Sequence, residues 1–303
     1  REIIFVDLSN NSMGPLPPAD IAKALSSYPK LKTLYLSDNK LEDIQDFFKN
    51  NTIDSFNLAQ NRFRELPKNF FANFPKLETL SFDCNFLINF PKQKSESIVT
   101  LSMPLNCIEN IEPSEIFFSQ LTTLDLSKNQ IKKLPNNFSK SFPKLSYLNL
   151  SDNLISEIPD TQEDGSSIFP ESLRILDLSN NLLKKFSNSI TSIQNLLILN
   201  IIGNEITYIP QLQPKIKKLR ASKNKIGRIE AQSFNIMRHF TLAHNGITYF
   251  PTDIKMKYTE TFKISHNKIT EINFNSVPIS TVLPRTITRF DISFNSIEKV
   301  PKE

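Results

Sequence analysis

The sequence predicts an α/β-type repeat solenoid: a parallel β-sheet on a concave side, backed by irregular convex segments of short helix or extended chain. Three observations lead there. One pattern, apolar-x-x-apolar-x-apolar-x-x-Asn-x-apolar, recurs thirteen times along the 303-residue chain. Successive copies lie 20 to 28 residues apart, a period that belongs to stacked supersecondary units. Within each copy the apolar residues around the centre alternate with period two, so each reads as a short strand with one side turned inward.

The strands come first. The clearest copies are residues 31–41 (LKTLYLSDNKL), 121–131 (LTTLDLSKNQI), 145–155 (LSYLNLSDNLI) and 173–183 (LRILDLSNNLL). Stacking them places each strand beside the next, which gives a parallel sheet buried behind and open in front. The asparagines mark the register: Asn11, Asn39, Asn61, Asn85, Asn106, Asn129, Asn153, Asn181, Asn204, Asn224, Asn245, Asn267 and Asn295. Each must leave its strand and turn inward, where backbone N–H and C=O groups need partners. A side-chain amide offers donors and an acceptor at once, so these residues are expected to form a structural ladder through the core. Two copies are degenerate, with Thr259 and Ala221 at positions that are otherwise large and apolar. Neither breaks the register.

The return segments follow. Many copies continue as apolar-x-x-apolar-Pro, ending at Pro67, Pro91, Pro135, Pro159, Pro210, Pro251 and Pro301. Proline removes a donor and disfavours helix just before it, so these segments should be extended or irregular with short helical turns. Phe70, Phe71, Phe74, Phe138 and Phe142 are expected to fill the space beneath, which accounts for 24 Phe in a chain without Trp. Residues 17–28 (PPADIAKALSSY) predict a fuller helix, with Asp20 as N-cap and Ile21, Ala24 and Leu25 on one face. Residues 160–167 and 276–284 read as convex loops.

On these residues the chain resembles the leucine-rich-repeat family over essentially its whole length. The resemblance implies a curved horseshoe, here a single domain over residues 1–303 with about thirteen repeats. It implies protein recognition as the function. Intracellular members serve as scaffolds or as targeting segments joined to phosphatase, cyclase, kinase or GTPase-related domains. Extracellular members of animals usually carry disulfide-rich caps, which nothing here matches. The chain starts at Arg1, inside a strand pattern, and is expected to be a piece of a longer protein or a processed product.

Composition narrows the function. No stretch approaches the roughly 18 apolar residues of a membrane span. Glycine-rich phosphate loops, G-x-S-x-G elbows and H-E-x-x-H pairs are all missing from the sequence, and a flat open sheet converges no groups on a reacting atom. The segment is therefore expected to be non-catalytic and to need no cofactor. Cys84 and Cys107, on adjacent repeats at offset positions, are read as free thiols in a reducing compartment, which favours an intracellular, cytoplasmic location. Sequons at Asn10, Asn50, Asn137 and Asn149 decide nothing by number alone.

Charge points to a face. The formal net charge is +5, but residues 1–206 carry 20 basic and 24 acidic side chains, whereas residues 207–303 carry 16 and 7. The outward column four residues before each Asn turns basic at Arg220. With its neighbours it gives a candidate partner-binding patch of Lys217, Lys218, Arg220, Lys223, Arg238, His239, His244, Lys263 and His266. Fields from such neighbours add on a concave sheet and steer partners of opposite sign, so the expected partner is a protein with an acidic surface. Nucleic acid is disfavoured by scarce aromatic interleaving and by the acidic half. Leu197, Ile198 and Ile202 form an outward apolar patch that could core an interface; Val99, Pro104 and Leu105 form another. His244 and His266 share a column on adjacent repeats, about 5 Å apart by strand spacing. Two ligands among cations make a poor metal site, so none is assigned; a contact surface sensitive to mild acid is the more modest idea. The expected function is a protein–protein interaction module, scaffold or targeting domain in intracellular signalling. The alternative is an extracellular or cell-surface pattern-recognition ectodomain that binds a microbial or carbohydrate ligand.

Overall fold

A computed structural model of the chain describes residues 2–15, 19–44, 52–112, 117–162, 165–229, 237–249, 256–272 and 283–298. Asn50, Pro17, Pro251, Pro301 and most of the stretch 276–284 lie outside them. The chain falls into two compact units, Arg1–Leu154 and Ile155–Glu303.

The first unit carries β1 (Phe5–Asp7), α1 (Ala19–Ser26), β2 (Thr33–Tyr35), β3 (Ser55–Asn57), α2 (Phe70–Asn73), β4 (Thr79–Ser81), β5 (Lys94–Ser95), β6 (Thr100–Ser102), β7 (Phe117–Phe118), β8 (Thr123–Asp125), α3 (Phe138–Ser141) and β9 (Tyr147–Asn149). Its main sheet is wholly parallel in the order β1-β2-β3-β4-β6-β8-β9, while β5 and β7 pair in the return segments. The second unit carries β10 (Ile175–Asp177), α4 (Asn188–Thr191), β11 (Ile198–Asn200), β12 (Tyr208–Ile209), β13 (Lys218–Arg220), β14 (Arg228–Ile229), β15 (His239–Thr241), β16 (Thr261–Lys263) and β17 (Arg289–Asp291). Its sheet runs β10-β11-β13-β15-β16-β17, with β12 against β14. Both units are the parallel-strand repeat solenoid that the period predicts.

The register is one residue for one residue: Leu34 opposes Phe56, Leu80 opposes Leu101, Phe240 opposes Phe262. These central strand residues are 0–1% exposed, and burying one such side chain stabilises by about 1.5–3 kcal/mol. The flanking strand residues stay on the open face. Degenerate positions stay buried in the same register. Ala221 is fully buried, and so is Thr259, whose Oγ1 donates to Met237 O at 3.0 Å.

The asparagines interlock neighbouring repeats. Asn129 Nδ2 donates to Met103 O (3.0 Å) in the previous repeat and to Leu126 O (3.0 Å) and Ser127 O (3.2 Å) in its own, while its Oδ1 accepts from Ile108 N at 3.0 Å. Asn61, Asn85, Asn106 and Asn153 repeat this set in the first unit. Asn204, Asn224, Asn245, Asn267 and Asn295 repeat it in the second. Asn181 Oδ1 accepts from Ile155 N, and its Nδ2 donates to Leu178 O and Ser179 O. Asn39 departs from the pattern. Its Nδ2 donates to Leu8 O and Leu36 O, but its buried Oδ1 has no partner. Asn11 is exposed and bonds only its own repeat.

A feature the sequence reading passed over makes the inward turn possible. The residue before every ladder Asn is left-handed: Asn10, Asp38, Gln60, Cys84, Leu105, Lys128, Asp152, Asn180, Lys223, His244, His266 and Phe294 have φ of 52–57°, and Gly203 has 67°. This conformation costs an L-residue roughly 1–2 kcal/mol. Its signal was present: the column holds Asn, Asp, His or Gly in seven copies and no β-branched residue, for which the region is least accessible.

The return segments are short. α2 and α3 are single turns entered three residues after a proline, with Phe70 N donating to Pro67 O and Phe138 N to Pro135 O. Phe70, Phe71, Phe74, Phe138 and Phe142 are all buried, and Phe118 contacts Phe71, Phe90 and Phe142 with ring centroids 5.4–6.0 Å apart. One expectation needs correcting. α1 begins at Ala19, so Asp20 lies in its first turn, where a carboxylate favours the positive end of the helix dipole, and is not the N-cap. Leu25 is buried and Ile21 half-buried, but Ala24 faces solvent. The loop at 160–167 is closed by Gln162 N on Ser166 O and by Gly165 at φ 80°.

Candidate functional site

The open face is tied down on its acidic side. Asp125 Oδ1 accepts from Ser127 N at 2.9 Å and Ser127 Oγ at 2.7 Å; Asp177 does the same with Ser179, and Asp291 with Ser293. Asp7 accepts from Ser9 N. These carboxylates end the strand by taking the amide two residues on. The Ser293 hydroxyl holds the Asp291 carboxyl below its ordinary value, and the Ser9 amide does so for Asp7. Asparagines at the same position play the same part: Asn57, Asn149 and Asn200 accept from Ala59, Ser151 and Ile202 N. Asn149 Nδ2 also donates to Asp125 Oδ2 at 3.1 Å, so the sequon amide at this position is engaged on the sheet.

The basic side divides in two. Across the second unit the strand register lines up Ile175, Ile198, Lys218, His239, Thr261 and Arg289 in one column, and Asp177, Asn200, Arg220, Thr241, Lys263 and Asp291 in the next. Arg238 Nη1 lies 3.4 Å from Glu260 Oε1, and His239 Nε2 lies 3.7 Å from Glu260 Oε2. Arg238 and His239, two of the nine residues that the sequence assigns to the patch, thus already face a carboxylate. Lys263 stands opposite Asp291 and helps lower its pKa. Lys217, Lys218, Arg220 and Lys223 make no ion pair among the described residues; Lys218 is half-buried and the other three exposed. The free charge of the patch is therefore concentrated on β13 and its two flanks.

His244 and His266 do meet. Their rings stack at 4.1 Å with 12° between planes, and Phe294, 73% exposed, continues the stack at 4.1 Å and 10°. Parallel rings send their nitrogen lone pairs along parallel lines and not toward one ion. Among the described residues there is no group of three or more His, Cys, Asp or Glu able to hold a metal. Cys84 and Cys107 are free and half-buried.

Leu197, Ile198 and Ile202 are half-buried, not openly exposed. Their place matters more than their area: Ile198 pairs in register with Lys218, so the apolar and basic patches are one surface. At its edge a recess of about 490 Å³ is lined by Leu197, Pro214, Lys215, Lys217, Arg238 and Tyr258. Tyr258 was not singled out by the sequence reading because it precedes the repeat motif. In the first unit Leu105 is exposed, with Val99 and Pro104 half-buried.

Residues 119–161 match the family description "Leucine Rich repeats (2 copies)", and residues 30–51 and 172–196 match "Leucine Rich Repeat". Leucine-rich repeats are thus present in three stretches of the chain. A solved leucine-rich-repeat protein of Leptospira interrogans shares the fold, with a TM-score of 0.72 at 21% identity over 99% of this chain and 80% of that one. Keratocan of Mus musculus is 29% identical over 180 residues, 57% of this chain and 49% of keratocan. The leucine-rich repeat serine/threonine-protein kinase 1 of Mus musculus is 25% identical over 256 residues, 76% of this chain and 12% of the kinase. The leucine-rich-repeat chain thus spans about half the length of the first relative and a small part of the second. Its fold is one commonly used as a protein-interaction module, and no helix among the described residues is long and apolar enough to cross a membrane.

Proposed function

We propose that this chain is a non-catalytic interaction domain that holds a protein partner with an acidic surface on the open face of its second unit. The observation that carries the reading is the set of four cations on and beside β13 that have no ion pair among the described residues, while the carboxylates of their column, Asp177 two strands away and Asp291 three, already accept hydrogen bonds from Ser179 and Ser293. An approaching carboxylate meets unpaired positive charge, whereas an approaching cation meets Asp177 and Asp291 already engaged. Each exposed pair gained this way contributes about 0.2–1 kcal/mol, so the patch acts more on association rate and partner choice than on affinity. The thirteen repeats are read as one scaffold or targeting domain of a longer protein, and the two free thiols favour a reducing, cytoplasmic compartment.

The test is capture of partners from source-cell lysate by the wild-type chain and by a Lys217→Glu/Lys218→Glu/Arg220→Glu/Lys223→Glu variant, compared by quantitative mass spectrometry. Proteins lost only from the variant establish the face. Identical partners on both would remove it. The extracellular alternative has its own readout, since secretion from a eukaryotic host would add glycan mass at Asn10, which is exposed, and not at Asn149.

A further inference from the structure

The recess beside β13 unites three features that separately mean little. Its apolar lining is Leu197, Pro214 and the ring of Tyr258, which is 46% exposed. Its rim is cationic: Lys217 has no ion pair, Lys215 Nζ is held by Asn195 Oδ1 at 2.6 Å, and Arg238 reaches Glu260. Lys257 Nζ stands 5.1 Å from the Tyr258 ring centroid and brings a fourth cation to the edge. The volume of about 490 Å³ exceeds that of one large side chain. The cations of β13 continue from its mouth, since Lys218 and Arg220 oppose Ile198 and Asn200 across one strand spacing, about 4.8 Å.

We propose, resting on the reading of this face as a protein-binding surface, that the recess takes one apolar side chain of an extended acidic peptide segment, whose neighbouring carboxylates lie on Lys217, Lys218 and Arg220. The spacing decides the motif. In an extended segment, residues two apart share a face and lie about 6.5–7 Å from one another, which spans the distance from the Leu197 repeat to the cations of the next. The recognised element is therefore a leucine or aromatic residue with glutamates or aspartates within two positions on either side. A purely electrostatic patch would accept any polyanion. The apolar lining instead favours an anionic segment that also carries an apolar side chain.

The probes are the fluorescein-labelled peptides EELEE and EESEE, with heparin as a competitor, titrated by fluorescence anisotropy at two salt concentrations. EELEE should bind about tenfold more tightly than EESEE, the factor that partial burial of one leucine side chain gives. Leu197→Ser should weaken EELEE to the level of EESEE and leave EESEE unchanged. Lys217→Glu/Lys218→Glu should weaken both, by more at the lower salt. Circular dichroism of each variant checks that the repeats remain folded. Equal affinity of the two peptides, both lost in the charge-reversed protein, overturns the anchored motif but keeps the basic face. Binding unaffected by either set of substitutions overturns both. Heparin that binds more tightly than EELEE and ignores Leu197→Ser overturns the peptide assignment in favour of a polysaccharide, and no peptide binding at 1 mM overturns it outright.

Discussion

Replacing Asn129 by alanine should show how the ladder divides its work. Asn129 is 7% exposed and makes four hydrogen bonds, three donated and one accepted. The acceptors are redundant. Met103 O also receives Asn106 Nδ2, and Leu126 O also receives Asn153 Nδ2, so each keeps a partner after the substitution. The amide of Ile108 has only Asn129 Oδ1, and Ile108 is fully buried. An orphaned buried donor costs about 1–3 kcal/mol, and each net hydrogen bond removed about 0.5–1.5 kcal/mol. Asn129→Ala should therefore destabilise by about 3 kcal/mol. Asn39→Ala is the internal control, because Asn39 Oδ1 accepts nothing and its loss orphans no amide; it should cost about 1–2 kcal/mol. Urea unfolding reports the stabilities, read as midpoint shifts because repeat arrays can leave two-state behaviour. Hydrogen exchange at the Ile108 amide reports the mechanism. Equal costs for the two substitutions, or an Ile108 amide that stays protected in Asn129→Ala, would refute the reasoning.

Three further outcomes follow from the same structure. Phe118→Ala removes a fully buried ring that touches three others and should cost about 3–5 kcal/mol by urea unfolding; a loss below 1 kcal/mol would mean that the Phe cluster is loosely packed. Lys128, exposed at φ 54°, should tolerate glycine with little change, whereas Lys128→Val should cost about 1–2 kcal/mol, since a β-branched side chain is strained there; parity of the two variants argues against a left-handed turn. Asp291 is depressed below 3.8 mainly by the Ser293 hydroxyl. A depressed carboxyl adds stability above its unfolded pKa that disappears as pH falls through the lower folded value. Carboxyl-carbon NMR titration should show Ser293→Ala moving the Asp291 pKa up toward its ordinary value, and an unchanged Asp291 pKa would refute the part given to the Ser293 hydroxyl.

The strands and the ladder were legible because they repeat. A buried Leu at one position says little, but Leu34, Phe56, Leu80 and Leu101 at one offset from successive asparagines admit a single register. Return segments were less legible, since proline forbids helix locally without dictating what replaces it, and α1 started two residues earlier than its capping pattern implied. The left-handed column escaped because positive φ leaves no apolar periodicity behind, only a composition bias. On the open face, sequence position located the cations but not their partners. Glu260 lies seven residues before Asn267 as Arg238 lies seven before Asn245, so their adjacency was legible, but the reach of one carboxylate to both Arg238 and His239 is side-chain geometry that no periodicity encodes. Ile198 lies six residues before Asn204 as Lys218 lies six before Asn224, and their pairing makes the apolar and basic patches one surface.

The left-handed residue before each asparagine has a consequence for how such a chain can diversify. Its backbone shape is imposed by the turn and its side chain takes no part in the ladder, so the molecule carries a row of attachment points decoupled from folding. Cysteine, leucine, lysine, histidine and phenylalanine all occupy it here. Drift at these sites can rewrite the molecule's outward chemistry one repeat at a time, with β-branched residues as the main prohibited letters. Outward chemistry can thus change while the internal scaffold stays constant, and the His244–His266–Phe294 stack shows three such positions building one aromatic surface.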